Sequence, residues 1–118
     1  MKSQERKMAL QNILELRNPV ADAVRELSRF DFDSDEELVT LTPAHVVRVL
    51  GEYLAGELTE RDVEAWAEAL AGRDDVGMLE GFEQSLKQTL FELSTPEINE
   101  PIDRELARRW AARFRRPS

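Results

Sequence analysis

Asp31, Asp33 and Asp35 stand at alternate positions, the spacing at which an EF-hand loop offers its first three calcium ligands. The rest of such a loop is missing. Its sixth position, which needs Gly for the sharp turn, is Glu36, and its twelfth, which needs a bidentate Glu, is Thr42. Without that turn and closing carboxylate the loop cannot wrap an ion. The run from Asp31 to Glu37 therefore reads as a solvated acidic connector or as a docking patch for a basic partner. His45 is the only histidine and cysteine is absent, which excludes disulfides, thiolate zinc sites and thiol catalysis. The acidic segments contain no Glu-x-x-His pair of the di-iron type. There is no Gly-x-Ser-x-Gly nucleophile turn and no glycine-rich phosphate loop. His45 reads as a surface or half-buried helix residue. No catalytic residue, metal or cofactor is assigned, and the chain is read as non-enzymatic.

Charge is the feature that bears on partners. The 118 residues carry 24 Asp and Glu against 16 Lys and Arg, a net −8. Residues 31–100 concentrate the imbalance, with 18 acidic side chains against four basic ones. The last 18 residues reverse it, with six arginines (Arg104, Arg108, Arg109, Arg113, Arg115 and Arg116) against Asp103 and Glu105. An acidic body repels phosphates and anionic lipid and attracts basic surfaces. The partners expected are thus a basic protein or a second copy of this chain, with no nucleic acid and no membrane. The arginines are expected to pair with the protein's own acidic helices or with those of a neighbouring subunit. The absence of an apolar signal segment and of a membrane-length apolar run points to a cytoplasmic address.

The elements that must position these residues are helices. A first helix spans roughly 4–16, and Asn18-Pro19 restarts a second that runs to about Phe30. The acidic connector follows. Leu38, Val39 and Leu41 fit either a short extended stretch or an extra helical turn. Thr42-Pro43 opens a third helix, with Val46, Leu50, Tyr53 and Leu54 on one face, and Gly56 closes it. Thr59 and Asp62 form a near capping box for a fourth, whose stripe is Val63, Trp66, Ala67 and Leu70. Arg73 to Gly77 reads as a polar turn. A fifth helix covers about 78–94 with Leu79, Phe82, Leu86, Leu90 and Leu93 in register, and a sixth stacks Ile102, Leu106, Trp110 and Phe114. No strand alternation stands out. The fold class is all-α, a single domain over residues 1–118 built as a bundle of five or six short helices, with a tail after 114. Its predicted core is Leu14, Val24, Leu27, Val46, Leu50, Leu54, Val63, Trp66, Leu70, Phe82, Leu86, Leu90, Leu106 and Trp110.

Residues 41–71 also imitate the helix-turn-helix of LuxR-type DNA-binding heads in turn spacing and apolar positions. The chemistry is wrong for base reading: the would-be recognition helix carries Glu60, Asp62, Glu64 and Glu68 against Arg61 alone. A packed helical hairpin explains the same pattern. Within it, the stretch Tyr53-Leu54-Ala55-Gly56-Glu57-Leu58-Thr59-Glu60-Arg61-Asp62-Val63-Glu64-Ala65-Trp66-Ala67 resembles small bacterial immunity proteins of the colicin D type and related toxin-neutralising families. What carries the likeness is an apolar helix, a Gly-x-Leu-Thr turn, and an acidic helix with a Trp in its core stripe. The resemblance implies a helical bundle whose acidic surface plugs the basic active site of a nuclease toxin. It points to Glu57, Glu60 and Glu64 around the hairpin, and to Asp31, Asp33, Asp35, Glu36, Glu37, Asp74 and Asp75 in the two acidic loops, as partner-binding residues. The function expected is that of an acidic helical binding protein, an immunity- or antitoxin-like inhibitor of a basic protein. The alternative is a homo-oligomeric structural or adaptor module that pairs its arginine-rich last helix with an acidic neighbour. A helix-turn-helix regulator is a third reading.

Overall fold

In a computed structural model, which describes residues 2–115 with the side chains of Lys2 and Arg115 left aside, the order is α1 (Lys2–Leu14), α2 (Val20–Leu27), β1 (Val39–Leu41), α3 (Pro43–Leu54), α4 (Glu60–Leu70), β2 (Val76–Met78), α5 (Glu83–Ser94) and α6 (Arg104–Arg115). The all-α bundle expected from the sequence is thus observed, with one small sheet added. The tail expected after 114 lies, beyond Arg115, outside the described residues.

Local chemistry explains the boundaries. At α4, the Thr59 side chain accepts from the Asp62 N–H at 3.1 Å, and the Asp62 carboxylate accepts from the Thr59 N–H at 2.9 Å, a reciprocal box that satisfies two helix-start donors. At α3, His45 takes the corresponding place: its Nδ1 accepts from the Thr42 N–H at 3.0 Å. Gly56, at φ +84°, ends that helix. The Glu57 N–H returns to the Glu52 carbonyl and the Gly56 N–H to Tyr53, the Schellman pattern. The same pattern ends α1 without a glycine. Leu16 adopts φ 52°, while the Arg17 N–H bonds Asn12 and the Leu16 N–H bonds Ile13. This ends α1 two residues before the predicted boundary. Pro19 is the N-cap of α2 rather than its first residue.

α6 packs on α3, α4 on both α5 and α2, and α1 on α2 and β1. The would-be recognition pair thus packs chiefly on other helices, α3 on α6 and α4 on α5 and α2, rather than as an isolated hairpin. The core runs through all six helices and is centred on Trp66, which is fully buried. Its indole N–H donates at 3.0 Å to the Ile13 carbonyl, which also accepts from the Leu16 N–H, so α4 is tied to the turn that ends α1. Of the predicted core, Val24, Leu54 and Phe82 are half-buried and pack against its outside.

Three expectations are corrected between residues 73 and 82. Val76 and Gly77, expected in a polar turn, and Met78, expected to open the fifth helix, form a strand paired in parallel with β1 in the register Val39↔Val76, Thr40↔Gly77, Leu41↔Met78. This also makes residues 39–41 extended. A run of three residues is too short for periodicity to separate strand from helix. α5 starts at Glu83, so Leu79 lies outside its stripe and is exposed. Asp75 is buried completely.

Candidate functional site

Burying a carboxylate costs several kcal/mol unless charge and hydrogen bonds compensate. Asp75 has both. Arg73 Nε donates to its Oδ1 at 2.9 Å and Arg73 Nη2 to its Oδ2 at 3.2 Å, while Arg6 Nε donates to Oδ2 at 2.6 Å. The Arg73 side chain is 1% exposed and that of Arg6 19%. Burial by itself pushes the Asp75 carboxyl up. The hydrogen bonds and positive charges of Arg73 and Arg6 outweigh it and hold the carboxyl below its ordinary range. Asp75 is therefore a structural ion, and its predicted role as a partner-binding residue is corrected: no partner reaches a carboxylate enclosed by two guanidiniums.

The remaining donors of both arginines reach the acidic connector through its main chain. Arg73 Nη2 donates to the Asp31 carbonyl at 2.9 Å and to Phe30 at 3.4 Å, and Arg6 Nη2 to the carbonyls of Asp31 and Asp33, the latter at 2.8 Å. The Arg73 guanidinium lies 4.7 Å from the Phe32 ring centroid. The Asp74 N–H donates to the Phe32 carbonyl at 2.9 Å, and the Leu38 N–H to Asp75 at 2.8 Å. Ser34 Oγ bridges to Glu36, donating to its carbonyl and accepting from its N–H. The connector is thus fixed through its main chain at residues 30–33, 36 and 38, with the Ser34 hydroxyl holding Glu36. Its side chains are left over: Asp31, Asp33, Asp35, Glu36 and Glu37 are all exposed, as is Asp74. Among the described residues none of these six carboxylates joins an ion pair.

Two grooves flank the connector. One, of about 770 Å³, is walled by Arg6, Arg29 and Phe30 and rimmed by Asp31, Asp33, Asp35 and Glu36. The other, of about 730 Å³, brings Glu37 and Asp74 together between β2 and α5, along with Glu83, which the sequence analysis did not single out. The remaining predicted residues form a separate patch at the start of α4: Glu57, Glu60 and Glu64 line neither groove. Glu60 accepts from the Tyr53 hydroxyl at 3.2 Å. Burial, with Glu60 adding to it, raises the Tyr53 hydroxyl above its ordinary pKa. Glu64 faces Glu68 one turn on. The hydrogen bond they share, then burial, raises its carboxyl pKa.

Sequence reasoning missed Arg6 and Arg73, the residues that organise this site. A signal for one of them existed: Arg73 is the only cation between Arg61 and Lys87. Nothing local could assign Arg6, 69 residues away from the carboxylate it binds. His45 Nε2 lies 2.8 Å from Glu15 while its Nδ1 accepts a backbone N–H, so both ring nitrogens serve the start of α3. Three of the α6 arginines are also used within the chain. Arg109 makes two bonds to Glu100 at 2.8 and 2.9 Å, Arg104 donates to the Leu54 carbonyl at the end of α3 at 2.9 Å, and Arg113 lies over the Trp110 ring at 4.8 Å. Among the described residues there is no group of three or more His, Asp and Glu placed to hold a metal ion, and no helix is long and apolar enough to cross a membrane.

A main chain fixed in this way, with outward carboxylates, can attract and orient cations. Comparison with known proteins finds no family model, no curated protein and no solved structure that matches this chain.

Proposed function

We propose that this chain is a non-enzymatic binding protein that docks a basic protein partner on its acidic connector, in the manner of an immunity- or antitoxin-like inhibitor. The observation that carries the reading is the division of labour in residues 31–38. Backbone carbonyls are consumed by Arg6 and Arg73, while Asp31, Asp33, Asp35, Glu36 and Glu37 face solvent. A loop serving only solubility has no need of a buried Arg–Asp–Arg cluster beneath it. A recognition loop does, because ordering its backbone beforehand lowers the entropy lost on binding.

The test is kinetic. The partner is isolated from the native cell, and its association with the wild type is compared with that of a variant carrying Asp31→Lys, Asp33→Lys, Asp35→Lys and Glu36→Lys. Electrostatic steering contributes about 10–10³-fold to association rates and is screened over about 8 Å at physiological ionic strength. The reversed variant should associate at least tenfold more slowly at low salt while unfolding at the same temperature. Duplex DNA should bind the wild type poorly. A rate indifferent to salt and to all four reversals sinks the reading.

A further inference from the structure

The two-stranded sheet has an edge that no strand pairs, lining a groove beside this acidic surface, with Val76 and Gly77 buried and Met78 half-buried. In a parallel ladder, alternate residues turn both backbone groups toward the partner strand. The Asp75 carbonyl accepts from Leu38 and Val39, and the Leu79 N–H donates to Leu41. Asp75, Gly77 and Leu79 thus face β1, and the Val76 carbonyl and both backbone groups of Met78 face away from it. Among the described residues none of those three groups takes a backbone hydrogen bond on that side. What lies beside them is the 730 Å³ groove, whose opposite wall is one face of α5: Glu83, Lys87, Leu90 and Phe91. Phe91 is 52% exposed and places an apolar ring on that wall of the groove.

Proteins usually blunt strand edges with charge, proline or a covering element. Here Val76, Gly77 and Met78 carry neither charge nor proline. The absence of a Cβ at position 77 instead leaves room for the Glu37 carboxylate, which a side chain there would strike. Glu37, Asp74 and Glu83 outweigh Lys87 in the groove, and its other cation, Arg73, is already bound to Asp75.

We infer that the open edge of β2 takes up an extended basic segment of the partner protein as a third strand, its main chain bonded to Val76 and Met78, its apolar side chains on Phe91 and its Lys or Arg residues on Glu37, Asp74 and Glu83. This rests on the reading of the acidic surface as a dock for a basic partner, and it names the form of the element that docks. Strand addition supplies affinity through main-chain bonds and specificity through alternate side chains. The three-residue edge offers about 10 Å of strand at ~3.3 Å per residue. A second copy of this chain is the poorer occupant, because edge-to-edge pairing would set these three carboxylates against their own copies.

The probe is a fluorescein-labelled eight-residue peptide of alternating Lys and Val. Its control is the same peptide methylated at every backbone amide, which retains charge and loses every backbone N–H donor. Anisotropy should show the unmethylated peptide binding at least tenfold more tightly than the control. At saturation it should slow amide exchange of Met78 at least tenfold. Met78→Pro removes an N–H that the β1–β2 ladder does not use, and Phe91→Ser removes the apolar seat at an exposed position. Each should weaken binding of the unmethylated peptide at least tenfold. Equal binding of the two peptides, or unchanged Met78 exchange, overturns strand addition. If that equal binding is lost in the Asp31, Asp33, Asp35 and Glu36 reversal variant, the acidic dock stands without it. No binding of either peptide at millimolar concentration overturns strand addition and leaves the dock to the kinetic test. A dimer in sedimentation that Met78→Pro dissolves would give the edge to a second copy and overturn the proposal.

Discussion

Asp75→Asn should be the most destabilising single-atom change in this chain. The substitution preserves shape and removes one negative charge from between two guanidiniums, one of them 1% exposed. Removing one partner of a buried ion pair costs about 3–5 kcal/mol, because the charge left behind is buried and uncompensated. Two features place Asp75 toward the upper half of that range: it answers two cations, and it is fully buried itself. One lowers it, since Arg6 is 19% exposed and can turn toward water. A loss of about 4 kcal/mol follows. With a urea slope near 1.5 kcal/mol per molar, within the ~1–3 typical of small proteins, the unfolding midpoint falls by about 2–3 M. The assay is urea denaturation followed by circular dichroism, with Asp31→Asn as the control. That exposed carboxylate has no ion-pair partner among the described residues, and its loss should change stability by no more than about 0.5 kcal/mol. Amide exchange should also quicken across residues 31–38 in Asp75→Asn, because Arg6 and Arg73 lose the anchor that aims them at the connector carbonyls. A loss below about 1 kcal/mol, the range of exposed pairs, would refute the cluster as the connector's foundation.

Trp66→Ala should cost about 3–5 kcal/mol, since it empties a fully buried site in the core and removes the indole hydrogen bond to the Ile13 carbonyl; urea midpoints check it, and a loss under about 1 kcal/mol would deny the burial. The two shifted carboxyls should act on stability in opposite senses. Asp75 is held below the ordinary carboxyl value of 3.8, so its contribution is present above that pH and is lost as pH falls further, through the folded-state value. Glu64 is raised above 4.5, by its hydrogen bond to Glu68 first and burial second, so its contribution is present at acid pH and is lost as pH rises through its folded-state value. Glu64→Gln, which mimics the protonated form, should therefore stabilise the protein at pH 7 and be neutral near pH 4. A Gln variant no more stable than wild type at pH 7 refutes the strain between Glu64 and Glu68.

Helices were legible in this sequence where a cap announced them. Thr42-Pro43, Thr59 with Asp62, and Gly56 each mark a boundary by satisfying backbone groups locally, and each lies where the residue types demand. The end of α1 was not legible, because Leu16 takes the left-handed position that usually calls for glycine. Its side chain packs against the core, which offsets the roughly 1–2 kcal/mol cost of that conformation. β1 and β2 were hidden because each is three residues long and their pairing joins segments 37 residues apart. The acidic site was half legible. The carboxylates of residues 31–37 were visible as a run, but the burial of Asp75 depends on Arg6, which no local pattern ties to it.

That dependence explains how so acidic a segment holds one conformation. Five carboxylates within residues 31–37 repel one another, and a loop of this composition in isolation would extend and fluctuate. Ion pairing at the carboxylates would order it, but would also neutralise the surface. The chain orders it from beneath, with guanidinium donors on the carbonyls of Phe30, Asp31 and Asp33, and leaves the acid groups in water. The two cations need Asp75 between them, since two guanidiniums in one partly buried site are themselves unstable without a counter-charge. The start of β2 places that carboxylate there: Asp75 leads into β2, whose pairing with β1 fixes the far end of the connector at Leu38. The small sheet is therefore not an ornament on a helical bundle. It sets the position of the ion that sets the loop, and it leaves its own unpaired edge in the groove where the connector ends.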